Sequence, residues 1–186
     1  MFGIINEPYN IGLNDDPVKS FYMEAYKMIR SITGIGKGPV ISLFAQGTLP
    51  DHWTQTFMQG ADRIALDTHP YWAFSEQSAD GPQAFRDRAC RAHAVNINNT
   101  WTNVGIVTAG EWSLAINDCN KWVGQGMPMR YELKFGNGSC ATWDNYAAWT
   151  PEVRAGFLSF WRTQADALGD WFFWTWKCVY LMPGCL

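Results

Sequence analysis

The chain has 186 residues, 47% of them hydrophobic, and a formal net charge of -3. That length supports one domain with a sizeable core. No block of basic residues occurs, which argues against nucleic acid or an anionic membrane surface as a partner, and no apolar run is long enough to span a membrane.

Met1 to Ile5 is an apolar, β-branched run that reads as a buried strand, stopped after Glu7 because Pro8 cannot continue the ladder. A carboxylate therefore sits at the C-terminal rim of that strand. A helix follows, with Asp16 as cap, Pro17 at its first position, and Val18, Phe21, Tyr22, Ala25, Met28 and Ile29 at helical spacing. Gly34 and Gly36 end it. Pro39 to Phe44 reads as a strand, Leu49 to Gly60 as a short helix or ordered loop, and Arg63 to Asp67 as a third strand running into Thr68–Phe74.

A helix is expected from about Gln83 to Asn98 and a fourth strand over Val104 to Ala109. That strand runs on through Gly110 into Glu111, a second acid at a strand rim. A Gly-rich excursion over Gly124 to Asn145 leads to a helix capped by Thr150, with Pro151 at its first position and Gly169 at its end. Trp171 to Trp176 is the fifth strand. Nearly continuous apolar strands alternating with helices are the signature of a parallel sheet covered by helices.

There are 5 Cys, none in a C-x-x-C pair, so neither a zinc ribbon nor a thioredoxin motif is supported. The odd count leaves at least one thiol free or paired outside the chain. Cys119, just before the excursion, and Cys140, near its far end, are the expected disulfide among the many pairings that 5 Cys allow. Two N-x-[ST] sequons, Asn98-Asn99-Thr100 and Asn137-Gly138-Ser139, together with the cysteines tilt the expectation toward an oxidising, secreted setting. No G-x-S-x-G elbow is present. His52, His69 and His93 lack metal-ligand spacing, so no metal is expected. No Gly-rich phosphate loop follows a strand, and no cofactor is expected. The 11 Trp mostly suit core packing, with two or three left to stack on sugar faces.

These pieces, taken together and in order, resemble glycoside hydrolase family 5, most closely the fungal exo-β-1,3-glucanases. The matching segments are Ile5-Asn6-Glu7-Pro8, Asp67-Thr68-His69-Pro70-Tyr71 with Phe74, Ala109-Gly110-Glu111-Trp112-Ser113, Asn117-Asp118-Cys119, and Leu168-Gly169-Asp170-Trp171-Phe172-Phe173-Trp174-Thr175-Trp176-Lys177. The resemblance implies an α/β fold of the (β/α)8 TIM-barrel type, with this chain covering approximately strands 4 to 8 of a partial barrel. It implies a single, incomplete catalytic domain over 1–186, lacking the first three β/α units and ending in an atypical tail, 178–186. Two open sheet edges would then invite self-association.

The resemblance further implies that Glu7 is the acid/base and Glu111 the nucleophile of a retaining mechanism, about 5–5.5 Å apart, with the acid's pKa raised by burial and by the nearby charge. Asn6 would hydrogen-bond the sugar 2-OH. Tyr71 would hydrogen-bond Glu111, His69 would line the site, Phe74 would contribute to an entrance clamp, and Trp174 and Trp176 would offer sugar platforms. Trp112 fits core and ligand-facing roles equally. The implied activity is hydrolysis of β-1,3-glucosidic bonds with release of glucose from chain ends, in a secreted or cell-wall setting. Another family 5 β-glycosidase or endoglucanase, or a non-catalytic carbohydrate-binding remnant, remains open.

Overall fold

A computed structural model describes residues 1–8, 16–45, 57–74, 76–119, 130–135 and 139–175. The chain divides into two compact units. The first comprises Met1–His69 and Val95–Gly110, the second Pro70–Ala94 and Glu111–Leu186.

The first unit is a parallel sheet with helices on the chain between its strands. β1 (Phe2–Gly3) pairs with β2 (Ile41–Phe44), β2 with β3 (Ile64–Thr68), and β3 with the first part of β4 (Val107–Trp112), all parallel. The register sets Leu43 beside Leu66 and Leu66 beside Val107. Helix α1 (Asp16–Thr33) leads from β1 to β2, and α3 (Val95–Asn103) leads into β4. Ile41, Leu43 and Val107 are fully buried. So is Tyr22 of α1, whose hydroxyl donates to Phe44 O at 3.3 Å and accepts from Phe44 N–H at 3.0 Å. Burial pushes this phenol up to about 12. Arg30, also buried, donates to the carbonyls of Pro39, Asp62 and Arg63 and so ties the end of α1 to the starts of β2 and β3. α1 ends at Gly34, whose φ of 79° is the left-handed value that favours glycine.

The second unit packs α2 (Pro82–Ala89) against α6 (Pro151–Leu168). Gly156 permits the close approach, since a Cβ there would lie 2.6 Å from the Gln83 amide nitrogen and 2.9 Å from the Pro82 ring. Trp72, Phe85, Ala89, Ile116 and Phe160 form the core. The Trp72 indole N–H donates to Oε1 of the fully buried Gln164 at 2.8 Å, which pairs the amide's acceptor and leaves its buried Nε2 without a hydrogen bond among the described residues. Thr150 caps α6 by accepting from Val153 N–H at 3.3 Å. The last residues of β4 adjoin β5 (Trp171–Phe173): Trp174 N–H donates to Trp112 O at 2.8 Å. The disulfide Cys119–Cys140, the pairing expected from the sequence, joins α5 (Ser139–Asp144) to the loop after β4, and Tyr131 N–H of α4 (Arg130–Phe135) donates to Asp118 Oδ1 in that loop at 3.0 Å. Cys90 is a free, exposed thiol, while Cys178 and Cys185 lie outside the described residues.

Several expectations are corrected. The first strand is Phe2–Gly3 rather than Met1–Ile5, and it is not buried: Met1, Phe2 and Ile5 are each 42–56% exposed. β1 is an edge strand, paired with β2 alone among the described residues, so its apolar run meets solvent. The fourth strand begins at Val107 because Gly105, at φ 125°, turns the chain before it. The helix expected over 83–98 is α2 and α3 joined by a π-helical turn, Cys90–Ala94. The fifth strand stops at Phe173. Most of the expected 49–60 element and the 178–186 tail lie outside the described residues.

Candidate active site

The two acids belong to different units, and each is described with its own neighbours. In the first unit Glu7 follows β1 by four residues and is exposed. Its φ is 41°, a left-handed backbone at a non-glycine residue. Such a conformation costs on the order of 1–3 kcal/mol and persists only where its surroundings hold it. His69 supplies a hold: its Nδ1 lies 2.5 Å from Glu7 Oε1. The imidazole itself is buried, with 6% of its side chain exposed, and its ring meets the Phe44 ring edge-on at 4.7 Å between centroids. Asn6, beside Glu7, is exposed.

Asp67, on β3, organises this side, and sequence reasoning gave it no role beyond membership of a motif. Its Oδ1 accepts from Gly110 N–H at 2.7 Å, and its Oδ2 accepts from the Ser42 hydroxyl at 2.9 Å. The same Oδ1 lies 3.7 Å from His69 Nε2. One carboxylate thus links β2, β3 and β4 and faces the imidazole that faces Glu7. The imidazole thus lies between the two carboxylates, with Nδ1 toward Glu7 and Nε2 toward Asp67. Gly110 is required by this arrangement, because a Cβ there would fall 2.2 Å from Asp67 Oδ1. The signal was present in the sequence as Ser42 and Asp67, polar residues inside two otherwise apolar strands.

In the second unit Glu111 lies on β4, one residue past Gly110, and is half-buried. The Tyr71 hydroxyl donates to Glu111 Oε2 at 2.8 Å, the contact the family resemblance implies. A hydrogen bond to an ionised carboxylate favours the ionised form. Phe74 is 49% exposed and sets its ring edge-on to Tyr71 at 5.7 Å. Trp112 is fully buried between the rings of Trp171 and Phe173, at 5.3 and 5.0 Å, so of the two roles open to it the core is realised. Trp174 is 57% exposed and precedes a cis peptide bond to Thr175. Trp176 lies outside the described residues.

Each unit therefore carries one acid at or beyond the carboxyl end of a strand, with an orienting side chain in hydrogen-bond reach. Such an acid can donate or accept a proton, or attack an electrophilic carbon.

No model of a known protein family matches the chain. Curated relatives do. The chain is 29% identical over 188 residues to a glucan 1,3-β-glucosidase of Candida oleophila, covering 94% of this chain and 43% of the relative. It is 30% identical over 194 residues to a glucan 1,3-β-glucosidase of Blumeria graminis, covering 94% and 42%. A probable glucan 1,3-β-glucosidase A of Aspergillus niger is 28% identical over 186 residues, covering 93% and 42%. The resemblance drawn from the motifs is thus borne out across nearly the whole chain, and the chain spans less than half the length of these relatives.

Proposed function

We propose, from that similarity and the two acids each held by an orienting side chain, that the chain carries the catalytic residues of a retaining β-1,3-glucan hydrolase that releases glucose from chain ends. The observation that supports this most is the Tyr71–Glu111 hydrogen bond of 2.8 Å, which fixes the orientation of the attacking carboxylate. In the first step Glu111 Oε attacks the anomeric carbon while protonated Glu7 gives its proton to the glycosidic oxygen. The C–O bond to the leaving sugar breaks and a covalent glucosyl ester on Glu111 forms. In the second step Glu7, now a carboxylate, takes a proton from water as the water oxygen attacks the same carbon and displaces Glu111. His69 positions Glu7 throughout. Asn6 holds the 2-OH, Trp174 and Trp176 lie under the sugar, and Phe74 flanks the entrance. A β-glucan of the cell wall is the substrate, and the setting is secreted or extracellular.

The test is release of glucose from laminaritriose by the purified chain, beside Glu111→Ala and Glu7→Ala. Glucose released by the unmodified chain and lost in both variants is the expected result. Turnover that survives Glu111→Ala would refute the assignment. Turnover of cello-oligosaccharides in place of laminaritriose would refute the linkage.

A further inference from the structure

The sequon Asn98-Asn99-Thr100 is not used by the chemistry above, and the fold gives it a specific setting. It lies within α3, Val95–Asn103. Asn98 and Asn99 are exposed, whereas Thr100 has no exposure and its hydroxyl donates to Asn96 O at 2.8 Å. Residues three apart share a helix face, so Val95, Asn98 and Trp101 stand in one row. Val95 is 61% exposed and Trp101 43% exposed. An exposed valine and indole on either side of an exposed sequon asparagine make an apolar surface whose centre is the modification point.

We propose that Asn98 is an N-glycosylation site whose first N-acetylglucosamine lies against Trp101 and Val95. The donor is a lipid-diphosphate-linked oligosaccharide. The amide nitrogen of Asn98 attacks C1 of the first sugar and loses a proton, the N–C1 bond forms, and the C1–O bond to the lipid diphosphate breaks. The buried, hydrogen-bonded Thr100 hydroxyl sets the order of events. A transferase that must engage that hydroxyl has access only before α3 closes, so transfer precedes folding. The glycan then remains compatible with the fold, because Asn98 points to solvent. The C–H faces of the sugar cover apolar surface that would otherwise meet water.

The inference rests on the secretory part of the proposed setting and not on hydrolysis. Its test therefore supplies the setting. The chain is expressed in yeast behind a heterologous secretion leader, alone and as Asn98→Gln and Asn137→Gln. Total and secreted protein are treated with peptide-N-glycosidase in ¹⁸O water and mapped by mass. Conversion of Asn98 to labelled Asp, with loss of one glycan from Asn98→Gln, is expected even in intracellular material, because transfer comes first. An unmodified Asn98 peptide overturns the site, whatever the state of Asn137. Nuclear Overhauser contacts between the sugar acetyl methyl and the Trp101 indole are expected in the glycosylated chain. Their absence overturns the platform. An inactive but glycosylated chain would refute the hydrolase reading alone.

Discussion

Gly110→Ala isolates the link between β3 and the strand that carries Glu111. The added Cβ would fall 2.2 Å from Asp67 Oδ1, 2.5 Å from Oδ2 and 2.6 Å from Cγ. The carboxylate cannot stay, and moving it breaks two bonds, from Gly110 N–H at 2.7 Å and from Ser42 Oγ at 2.9 Å. Hydrogen bonds to a charged group are worth about 1.5–3 kcal/mol each, so Gly110→Ala should cost about 3–6 kcal/mol. Asp67→Ala removes the same two bonds and should cost a similar amount. In the double variant the alanine enters space the carboxylate has left, and the loss should match either single change. Gly110 is not among the glycines of positive φ, so alanine brings no backbone penalty there. Urea unfolding of the four proteins gives the coupling energy, expected to exceed about 2 kcal/mol. Losses that add to within about 0.5 kcal/mol would refute the Asp67 clamp. Asp67→Asn, which keeps the shape, should lose less than Asp67→Ala.

Further outcomes are expected together. Burial beside Trp72 pushes His93 down from 6.5 to about 4. Between those pH values the unfolded chain takes up a proton that the folded chain does not, so stability falls as pH drops from 6.5 toward 4. The full penalty is about 3 kcal/mol, and His93→Phe should abolish that share of the pH dependence in urea midpoints. Replacing both Cys119 and Cys140 by Ser opens a loop of 21 residues' separation and should cost about 3 kcal/mol, read as a lower thermal midpoint. Trp174→Ala should raise KM for laminaritriose about tenfold while the chain's melting temperature holds, because an exposed indole contributes little to the core.

The locally encoded parts of this chain were legible in its sequence. Thr150-Pro151 opens α6 and Gly169 closes it, because caps depend on residues within one turn. The disulfide was legible from Cys119 standing just before the excursion and Cys140 near its far end. Boundaries that depend on neighbours were not. Met1–Ile5 reads as buried from its apolar residues, yet burial requires a second neighbour that β1 lacks among the described residues. The π-helical turn at Cys90–Ala94 has no residue signature that separates it from α-helix, so the sequence reads as one continuous helix there. At the site, Glu7, His69, Tyr71 and Glu111 could be named from motifs, and the His69–Glu7 and Tyr71–Glu111 contacts join residues of those same motifs. Asp67 could not be given its role from the sequence. Its partners, Ser42 and Gly110, are 25 and 43 residues away, and only strand register brings them together.

Covalent trapping addresses the proposed mechanism most directly. A 2-deoxy-2-fluoro-β-glucosyl fluoride loses fluoride readily but slows hydrolysis of the ester that follows, so a retaining enzyme accumulates the glucosyl adduct. Peptide mapping by mass should find the sugar on the peptide bearing Glu111, with no adduct in Glu111→Gln. An adduct on Glu7 instead, or an unlabelled chain that nevertheless releases glucose from laminaritriose, would contradict Glu111 as the nucleophile.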